Sequence, residues 1–208
     1  RAGVEAAARG LVEKGATSIA IVFLHAYANP AHEAEAAALV RRLFPDLAVT
    51  ASHEVAPEIR EYERASTTAA NAYVKPLAES YVETLAGEIG ALGVSAPLHL
   101  MISSGGLTGP AEAKRTPVQM LESGPAAGAL AAAFFGEQDA GGDVLAFDMG
   151  GTTAKLSLIE NGQPLIAYSF EAARQERFAE GSGLPIRIST VELIEIGAGG
   201  GSIAAIDS

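Results

Sequence analysis

Residues Val144–Ile159 have the sequence Val-Leu-Ala-Phe-Asp-Met-Gly-Gly-Thr-Thr-Ala-Lys-Leu-Ser-Leu-Ile, which is the most informative segment of the chain. Its apolar run predicts a strand that ends on Asp148, and Gly150-Gly151 predicts a tight corner into a second strand. Asn161-Gly162 then predicts a type I′ hairpin turn into a strand over Leu165–Phe170. Because glycine has no Cβ, the backbone N–H groups of such a corner can touch a ligand.

The polar groups at this corner suit phosphate groups. Thr152 and Thr153 add hydroxyl donors, and Asp148 adds a carboxylate suited to holding Mg²⁺ through water. Lys155 follows on the second strand, where its ammonium group either approaches a phosphate or is an ordinary solvated lysine. The plain alternative for the whole segment is a glycine hairpin without a ligand. A P-loop is excluded, because the sequence contains no Gly-x-x-x-x-Gly-Lys-Ser/Thr motif.

A second glycine-rich segment, Gly197–Ser202, follows a predicted strand over Val191–Ile196. It does not match the dinucleotide-binding fingerprint, because Ser202 occupies the position of the last glycine. Two interpretations stay open for Gly199 and Gly200. They either border a bound nucleotide or substrate, or they allow tight packing between two lobes.

A helix rich in small residues is predicted upstream of the corner. Residues Glu122–Phe135 combine a loop with an alanine-rich run, and Pro125 fits the first helical turn. This helix followed by the glycine corner resembles the central crossing of the actin, sugar-kinase and Hsp70-like ATPases, where an interlobe helix precedes the second phosphate motif. The resemblance implies a partial actin-like (ribonuclease H-like) ATPase fold of the α/β class, with mixed sheets and a phosphate motif on an antiparallel hairpin.

The composition limits the class of protein. With 208 residues, 49% hydrophobic and 19% charged, the chain is globular. A net charge of −11 argues against a nucleic-acid partner, because such surfaces need clustered Lys and Arg. The absence of cysteine excludes disulfides and thiolate zinc sites and agrees with a cytoplasmic location. The longest apolar run, Ser18–Leu24, is shorter than the roughly 20 residues of a membrane span, so no membrane partner is expected.

The first part of the chain predicts alternating helices and strands. A helix over 3–14 ends at Gly15, and a strand over Thr17–Tyr27 hardly alternates, which predicts burial on both faces. A helix from Asn29-Pro30 to Leu43 and a strand over Leu47–Ser52 complete a βαβ unit.

The later elements are predicted from breakers and charge. A long helix is predicted over Arg60–Ile89, with a break near its middle at Pro76. The charge run Glu58–Arg64 at the start of this helix is predicted to be a solvated face with local ion pairs. The four histidines lack metal-ligand spacing. The remaining predictions are strands over Pro97–Ser103 and Pro117–Leu121, a helix over Ala111–Arg115 and an irregular stretch over Glu171–Gly183.

Eight motifs in chain order resemble one family and cover nearly the whole chain. They are Ser52-His-Glu-Val55, Glu61-Tyr-Glu-Arg64, Thr67-Thr68, Asn71-Ala-Tyr73, Ser104-Gly-Gly106, Ser123-Gly-Pro-Ala-Ala-Gly128, Phe147-Asp-Met-Gly-Gly-Thr152 and Ile196-Gly-Ala-Gly-Gly-Gly-Ser202. Together they resemble the A-type subunit of the hydantoinase/oxoprolinase family, which includes N-methylhydantoinase A and the acetone carboxylase β subunit.

The resemblance implies ATP-dependent chemistry on cyclic amides or ketones, through phosphorylation of the substrate carbonyl oxygen. It assigns the positioning of Mg²⁺ or of the attacking oxygen to Asp148. It assigns the β- and γ-phosphates to Gly150, Gly151, Thr152 and Thr153. Many members carry an acid at the position of Lys155, so this lysine indicates a subgroup. A B-type subunit or domain is the implied partner, within an oligomer of the intact protein.

The ends of the sequence suggest an internal piece of a longer protein, since Arg1 is not a methionine and the family's first phosphate corner is missing. We expect 1–135 to end lobe one, including the interlobe helix, and 143–208 to begin lobe two. By itself such a piece is expected to bind ATP poorly. The predicted function is that of an ATP-dependent amidohydrolase. A ketone carboxylase subunit and a chaperone-like or reactivating ATPase are the alternatives.

Overall fold

The computed structural model of the chain describes residues 1–139, 142–176, 181–203 and 205–206. They divide into two compact units that are interleaved in sequence. The first comprises Arg1–Leu100, Thr108–Leu121 and Ser169–Ile188, and the second Met101–Leu107, Glu122–Tyr168 and Ser189–Ser208. These units differ from a single division near 135–143, because the helix after Glu122 groups with the hairpin that follows it. The assignment of the pieces to lobes stays a prediction.

The helices are α1 (Ala2–Glu13), α2 (Ala31–Leu43), α3 (Ser52–Val55), α4 (Glu61–Ala91), α5 (Pro110–Arg115) and α6 (Ser123–Asp139), with a 3-10 helix at Pro117–Met120. The strands are β1 (Ser18–Ile21), β2 (Ala48–Ala51), β3 (Leu100–Met101), β4 (Leu107–Thr108), β5 (Val144–Met149), β6 (Ala154–Glu160), β7 (Gln163–Pro164), β8 (Ile166–Ala167), β9 (Phe170–Ala172), β10 (Leu184–Ile186), β11 (Thr190–Val191) and β12 (Ile194–Ile196). Parallel and antiparallel pairs both occur, which makes this an α/β chain with mixed sheets.

The first unit begins with the predicted βαβ arrangement. Strands β1 and β2 pair in parallel from Ser18↔Ala48 to Ile21↔Ala51, with α2 between them in sequence, so the prediction is confirmed. Their buried faces pack against α1 and α2 through Ala8, Ile19, Ile21, Ala36, Ala37, Val40, Val49 and Ala51.

Strand β1 ends at Ile21, so the prediction of a strand reaching Tyr27 was wrong. Burial on both faces was also wrong, because Ala20 is exposed between two buried isoleucines. The chain leaves the sheet here because side chains take over its backbone hydrogen bonds. The Phe23 N–H donates to Glu33 Oε2 over 2.7 Å, and the Phe23 carbonyl accepts from Arg64 Nη2 over 2.9 Å.

Helix α4 runs without interruption through Pro76, so the predicted break was wrong. Proline removes one N–H donor, and packing of the buried Asn71 and Lys75 just before it holds the helix together. The predicted strand over Pro117–Leu121 was wrong as well, because this segment is a 3-10 helix. There Asn71 Oδ1 accepts the Val118 N–H over 3.1 Å, in the place that a strand partner would take.

The second unit is built on the predicted antiparallel corner. Strands β5 and β6 pair from Val144↔Ile159 to Met149↔Ala154, which confirms the prediction. Asn161 and Gly162 have φ values of 51° and 76°, as a type I′ turn requires, and connect β6 to β7. Helix α6 also occurs as predicted, and its buried Ala126 and Ala129 form a small core with Val191.

Four predicted segments are divided differently in the structure, because several strands are shorter than predicted and pair with different neighbours. The strand predicted over Leu165–Phe170 is split among β8, β9 and their surroundings, and β8 pairs with β11 while β9 pairs with β10. The strand predicted over Val191–Ile196 is split into β11 and β12. The stretch Glu171–Gly183 begins inside the β9–β10 pair, and its residues 177–180 lie outside the described part. Likewise Pro97–Ser103 contains only the two-residue β3.

Candidate functional site

The glycine corner between β5 and β6 presents unused hydrogen-bond donors. The Gly150 N–H donates to the Thr153 carbonyl over 3.0 Å, which closes the turn. In the described part of the chain, the N–H groups of Gly151 and Thr152 and the hydroxyls of Thr152 and Thr153 make no hydrogen bond. Residues 150–152 are exposed and Thr153 is half-buried, while the peptide between Gly151 and Thr152 packs against Gly199. Unused backbone N–H and hydroxyl donors on neighbouring residues suit an anion such as phosphate.

The second glycine-rich loop packs onto this corner within the same unit. The Gly200 N–H donates to the Gly150 carbonyl over 3.0 Å, and the Gly199 N–H donates to Ser202 Oγ over 3.0 Å. Gly199 is buried against the carbonyl group of Gly151, where a Cβ would overlap it. Glycine is therefore needed here for close backbone approach, and Gly199 and Gly151 belong to the same compact unit. The roles predicted for Gly199 and Gly200, in nucleotide binding or in packing between lobes, stay predictions. The loop supports the corner from behind.

Asp148 and Lys155 are directly opposite each other on β5 and β6, and Glu195 on β12 is the other neighbour of Lys155. The Lys155 ammonium group forms an ion pair with Glu122 and lies 3.9 Å from Glu195 Oε1. Its side chain is only 14% exposed, so the alternative of an ordinary solvated lysine was wrong. Two acids from separate parts of the sequence thus flank the lysine beside Asp148.

Glu122 is a site residue that the sequence analysis missed. It lies directly before α6 with a φ of 60°, in the left-handed region that non-glycine residues rarely adopt. Such a conformation costs of order 1–3 kcal/mol and is maintained only where the surroundings hold it. Its carboxylate forms the ion pair with Lys155, and its carbonyl accepts the Ala126 N–H over 3.1 Å. Glu195 was also missed, because its local sequence does not reveal that β12 pairs with β6 and places it opposite Lys155.

A cleft of about 220 Å³ separates α6 from the face of the β5–β6 hairpin that carries Asp148 and Lys155. The helix contributes small residues, which leave the space open, and the strands contribute the charged end. The lining residues are Pro125, Gly128, Ala129, Ala132, Ala146, Phe147, Asp148, Lys155, Ser157 and Leu193. The alanine-rich composition of α6 therefore has a structural consequence next to the corner.

The charged segment Glu58–Arg64, before and within α4, is partly buried rather than a fully solvated face. Arg64 is 1% exposed and donates to the carbonyls of Glu58 and Phe23, so the prediction of solvent exposure was wrong for it. The local pair between Arg60 and Glu63, at 3.2 Å, is confirmed. Arg64 holds two loops of the first unit, which explains an arginine at this place structurally.

The polar motif residues further along α4 are also structural. Asn71 is fully buried and donates to Thr50 Oγ1 and to the Arg115 carbonyl, each over 3.2 Å. Thr67 Oγ1 donates to the Glu63 carbonyl and accepts the Arg187 N–H over 2.8 Å. These side chains connect α4 to the segments around it in the first unit.

A buried carboxylate organises the ends of β1 and β2. Glu33 is fully buried and accepts hydrogen bonds from the Phe23 and His53 N–H groups, Ser52 Oγ and His53 Nδ1. Burial by itself raises the pKa of Glu33, but the hydrogen bonds from His53, Phe23 and Ser52 outweigh it and lower the pKa below its ordinary value. His53 is thereby engaged in structure.

The residues at the corner fit a nucleotide phosphate with its magnesium ion. Among the described residues, no three His, Asp or Glu side chains cluster as a ready-made metal site. Mg²⁺ bound with a nucleotide needs little more than one or two carboxylates, because phosphates and water supply the other ligands. Asp148, at the edge of the donor corner, can be such a carboxylate.

In the described part of the chain, no helix is long and apolar enough to cross a membrane.

These features define a class: an α/β chain with mixed sheets whose second unit exposes a donor-rich glycine corner beside a charged cleft. Comparison with known proteins identifies the family. The hydantoinase/oxoprolinase family model matches residues 64–208, and the model of the hydantoinase/oxoprolinase N-terminal region matches residues 1–44. The chain therefore belongs to the hydantoinase/oxoprolinase family.

This chain spans 28% of the length of each of three similar proteins. An uncharacterized protein of Methanocaldococcus jannaschii is 42% identical over 192 residues, which are 91% of this chain and 28% of that protein. The ATP-dependent caprolactamase of Pseudomonas jessenii has a solved structure with a TM-score of 0.81 at 33% identity, over 99% of this chain and 28% of its own. The nucleotide-free acetone carboxylase structure gives a TM-score of 0.79 at 25% identity, over 98% and 28%.

Proposed function

We propose that this chain is part of an ATP-dependent hydrolase of cyclic amides and that the corner at Gly150–Thr153 holds the β- and γ-phosphates of ATP. The observation that carries the proposal is the set of unused hydrogen-bond donors on the exposed residues Gly151 and Thr152, close to the exposed Asp148. Similarity to an ATP-dependent caprolactamase supports the substrate class. Because the chain spans about 28% of that relative, the proposal concerns the whole protein to which it corresponds.

An actin-like ATPase fold is the architecture we propose for that whole protein. The order of α6, the β5–β6 hairpin and the supporting Gly197–Ser202 loop in one unit supports it. In this arrangement α6 is the interlobe helix, residues 1–135 complete lobe one and residues 143–208 begin lobe two. Gly199 and Gly200 shape the phosphate corner by supporting its backbone, and Lys155 supplies positive charge beside it.

The residues of the corner act by positioning and by charge. The N–H groups of Gly151 and Thr152 and the hydroxyls of Thr152 and Thr153 bind phosphate oxygens and hold the terminal phosphoryl group in line with the substrate. Asp148 would hold Mg²⁺ through water, and the ion would neutralise charge on the phosphates. The amide carbonyl oxygen forms a bond to the γ-phosphorus while the bond from that phosphorus to the ADP oxygen breaks. The carbon bonded to the phosphorylated oxygen is then a better electrophile. One water adds to it while its bond to the ring nitrogen breaks, and a second water releases the phosphate as inorganic phosphate.

A partner is part of the proposal. One relative is described as caprolactamase subunit alpha, which indicates an enzyme of more than one subunit. We propose that a B-type subunit or domain completes the hydrolysis after phosphorylation, within an oligomer of the intact protein. The cyclic amide itself is the small-molecule partner, of the hydantoin, oxoproline or lactam type.

The test is substrate-dependent ATP turnover by the intact protein with its partner subunit. ADP release is measured with and without hydantoin, 5-oxoproline and caprolactam, and the ring-opened product is quantified in the same samples. ADP and ring-opened product are expected to form together with one of these amides. ATP turnover that is the same with and without every amide would contradict the coupling.

A ketone carboxylase subunit is a second candidate, favoured by the likeness to the acetone carboxylase structure. On this alternative the phosphoryl acceptor is the carbonyl oxygen of a ketone. The same assay decides between the two, because only a carboxylase would require added bicarbonate and consume a ketone.

A further inference from the structure

The charges around Lys155 are unfavourable for a phosphate site as they stand. Three carboxylates surround one ammonium group: Glu122 pairs with it, Glu195 lies 3.9 Å away and Asp148 is its neighbour on β5. Of the described residues that line the cleft, Lys155 is the one with positive charge. A phosphate group approaching Lys155 would meet the negative charges of Glu122 and Glu195, which an ammonium group already paired with Glu122 does not offset.

The pair between Glu122 and Lys155 is shielded from solvent. The two side chains are 22% and 14% exposed, whereas Glu195 is 51% exposed. Screening by water and salt is therefore weaker for Glu122 than for Glu195, so Glu122 controls the Lys155 charge more strongly.

Backbone strain is present at the same residue. Glu122 has a φ of 60°, and its carbonyl accepts the Ala126 N–H over 3.1 Å at the beginning of α6. The residue that forms the ion pair with Lys155 thus also directly precedes α6. Loss of the ion pair would remove one of the contacts of a residue in a costly left-handed conformation.

We propose that Glu122 is a positioning residue that competes with the nucleotide for the Lys155 ammonium group. This inference rests on the proposed phosphate corner. When a nucleotide binds there, Lys155 leaves the Glu122 carboxylate and pairs with a phosphate oxygen. Its flexible four-carbon stem allows this shift without movement of β6, since Lys155 lies two residues beyond Thr153. Glu122 is then free to leave its strained conformation at the start of α6.

A purely structural ion pair makes different predictions. If Glu122 and Lys155 only connect α6 to β6, replacing either residue lowers stability and leaves nucleotide affinity unchanged or weakened. Under competition, removal of the Glu122 carboxylate frees the lysine and increases nucleotide affinity. The sign of the affinity change separates the two roles.

The test measures ADP binding to the intact protein by isothermal titration calorimetry, so that turnover does not interfere. Glu122→Gln is expected to bind ADP roughly fivefold to tenfold more tightly than the wild type, because a shielded competing charge has been removed. Lys155→Met is expected to bind it about tenfold more weakly. Glu195→Gln is the matched control, with an expected change below about twofold because its carboxylate is half-exposed and more distant.

Glu122→Gly is the second variant, because glycine suits the left-handed conformation and keeps the fold at this place. It should also bind ADP more tightly. Unchanged or weaker ADP binding in a folded Glu122→Gly protein, with binding in the wild type intact, would overturn the competition but not the phosphate corner. No ADP binding by the wild type would overturn both.

Discussion

Gly199 lies directly against the carbonyl group of Gly151, so the loop after β12 and the corner after β5 are in backbone contact. The neighbouring hydrogen bond from the Gly200 N–H to the Gly150 carbonyl, at 3.0 Å, fixes the same contact. The donors proposed for phosphate binding thus depend on a residue nearly fifty positions away in sequence.

Gly199→Ala should therefore deform the corner. The added methyl group would overlap the Gly151 carbonyl, and overpacking of this kind costs about 1–3 kcal/mol of the free energy of unfolding. Chemical denaturation measures this loss, and nucleotide binding should weaken with it. Gly201→Ala is the matched control, since a Cβ there meets no atom within 4 Å. Equal stability of the two variants would show that the contact does not shape the corner.

Asp148→Ala should abolish ATP turnover by the intact protein and leave its stability within about 0.5 kcal/mol of the wild type, because the side chain is exposed. Steady-state ADP release and chemical denaturation measure the two effects. Glu160→Ala is the control, as an exposed acid at the far end of β6. Full turnover in Asp148→Ala would remove this carboxylate from the mechanism.

Glu33→Gln should destabilise the protein by about 2–4 kcal/mol, because four donors at the ends of β1 and β2 lose a charged acceptor in a buried place. Its free energy of unfolding is compared with that of Glu35→Gln on the same helix. Glu35 forms an exposed ion pair with Arg1, so that variant should change stability little. A small effect of both substitutions would show that Glu33 is dispensable.

Acid should weaken the folded state in part through Glu33. The folded-state pKa of Glu33 lies below its ordinary value of 4.5, so the unfolded chain binds the proton more readily. The stabilisation is complete well above pH 4.5 and is lost as the pH falls through the folded-state pKa. The free energy of unfolding, measured by denaturation at several pH values between about pH 3 and pH 7, should rise less steeply with pH for Glu33→Gln than for the wild type. Parallel pH profiles would contradict this assignment.

Sequence periodicity and turn chemistry predicted the elements that are determined locally. The corner at Gly150, the type I′ turn at Asn161-Gly162 and the helix after Glu122 all follow from residues adjacent in sequence. Predictions failed where distant side chains replace local bonding. Phe23 leaves the sheet because Glu33 and Arg64 bind its peptide groups, and Val118 is helical where Asn71 accepts its N–H.

The family, the βαβ start and the glycine corner with Asp148 could be predicted from the sequence, since each depends on neighbouring residues and short-range backbone preferences. The charge environment of that corner follows instead from tertiary contacts. Glu122, Lys155 and Glu195 come from three segments. The Lys155 ammonium group lies near both carboxylates because strand register and the start of α6 bring the side chains together. Electrostatic interactions depend on the distance between charges in space and on the exclusion of water, and neither can be predicted from the local sequence.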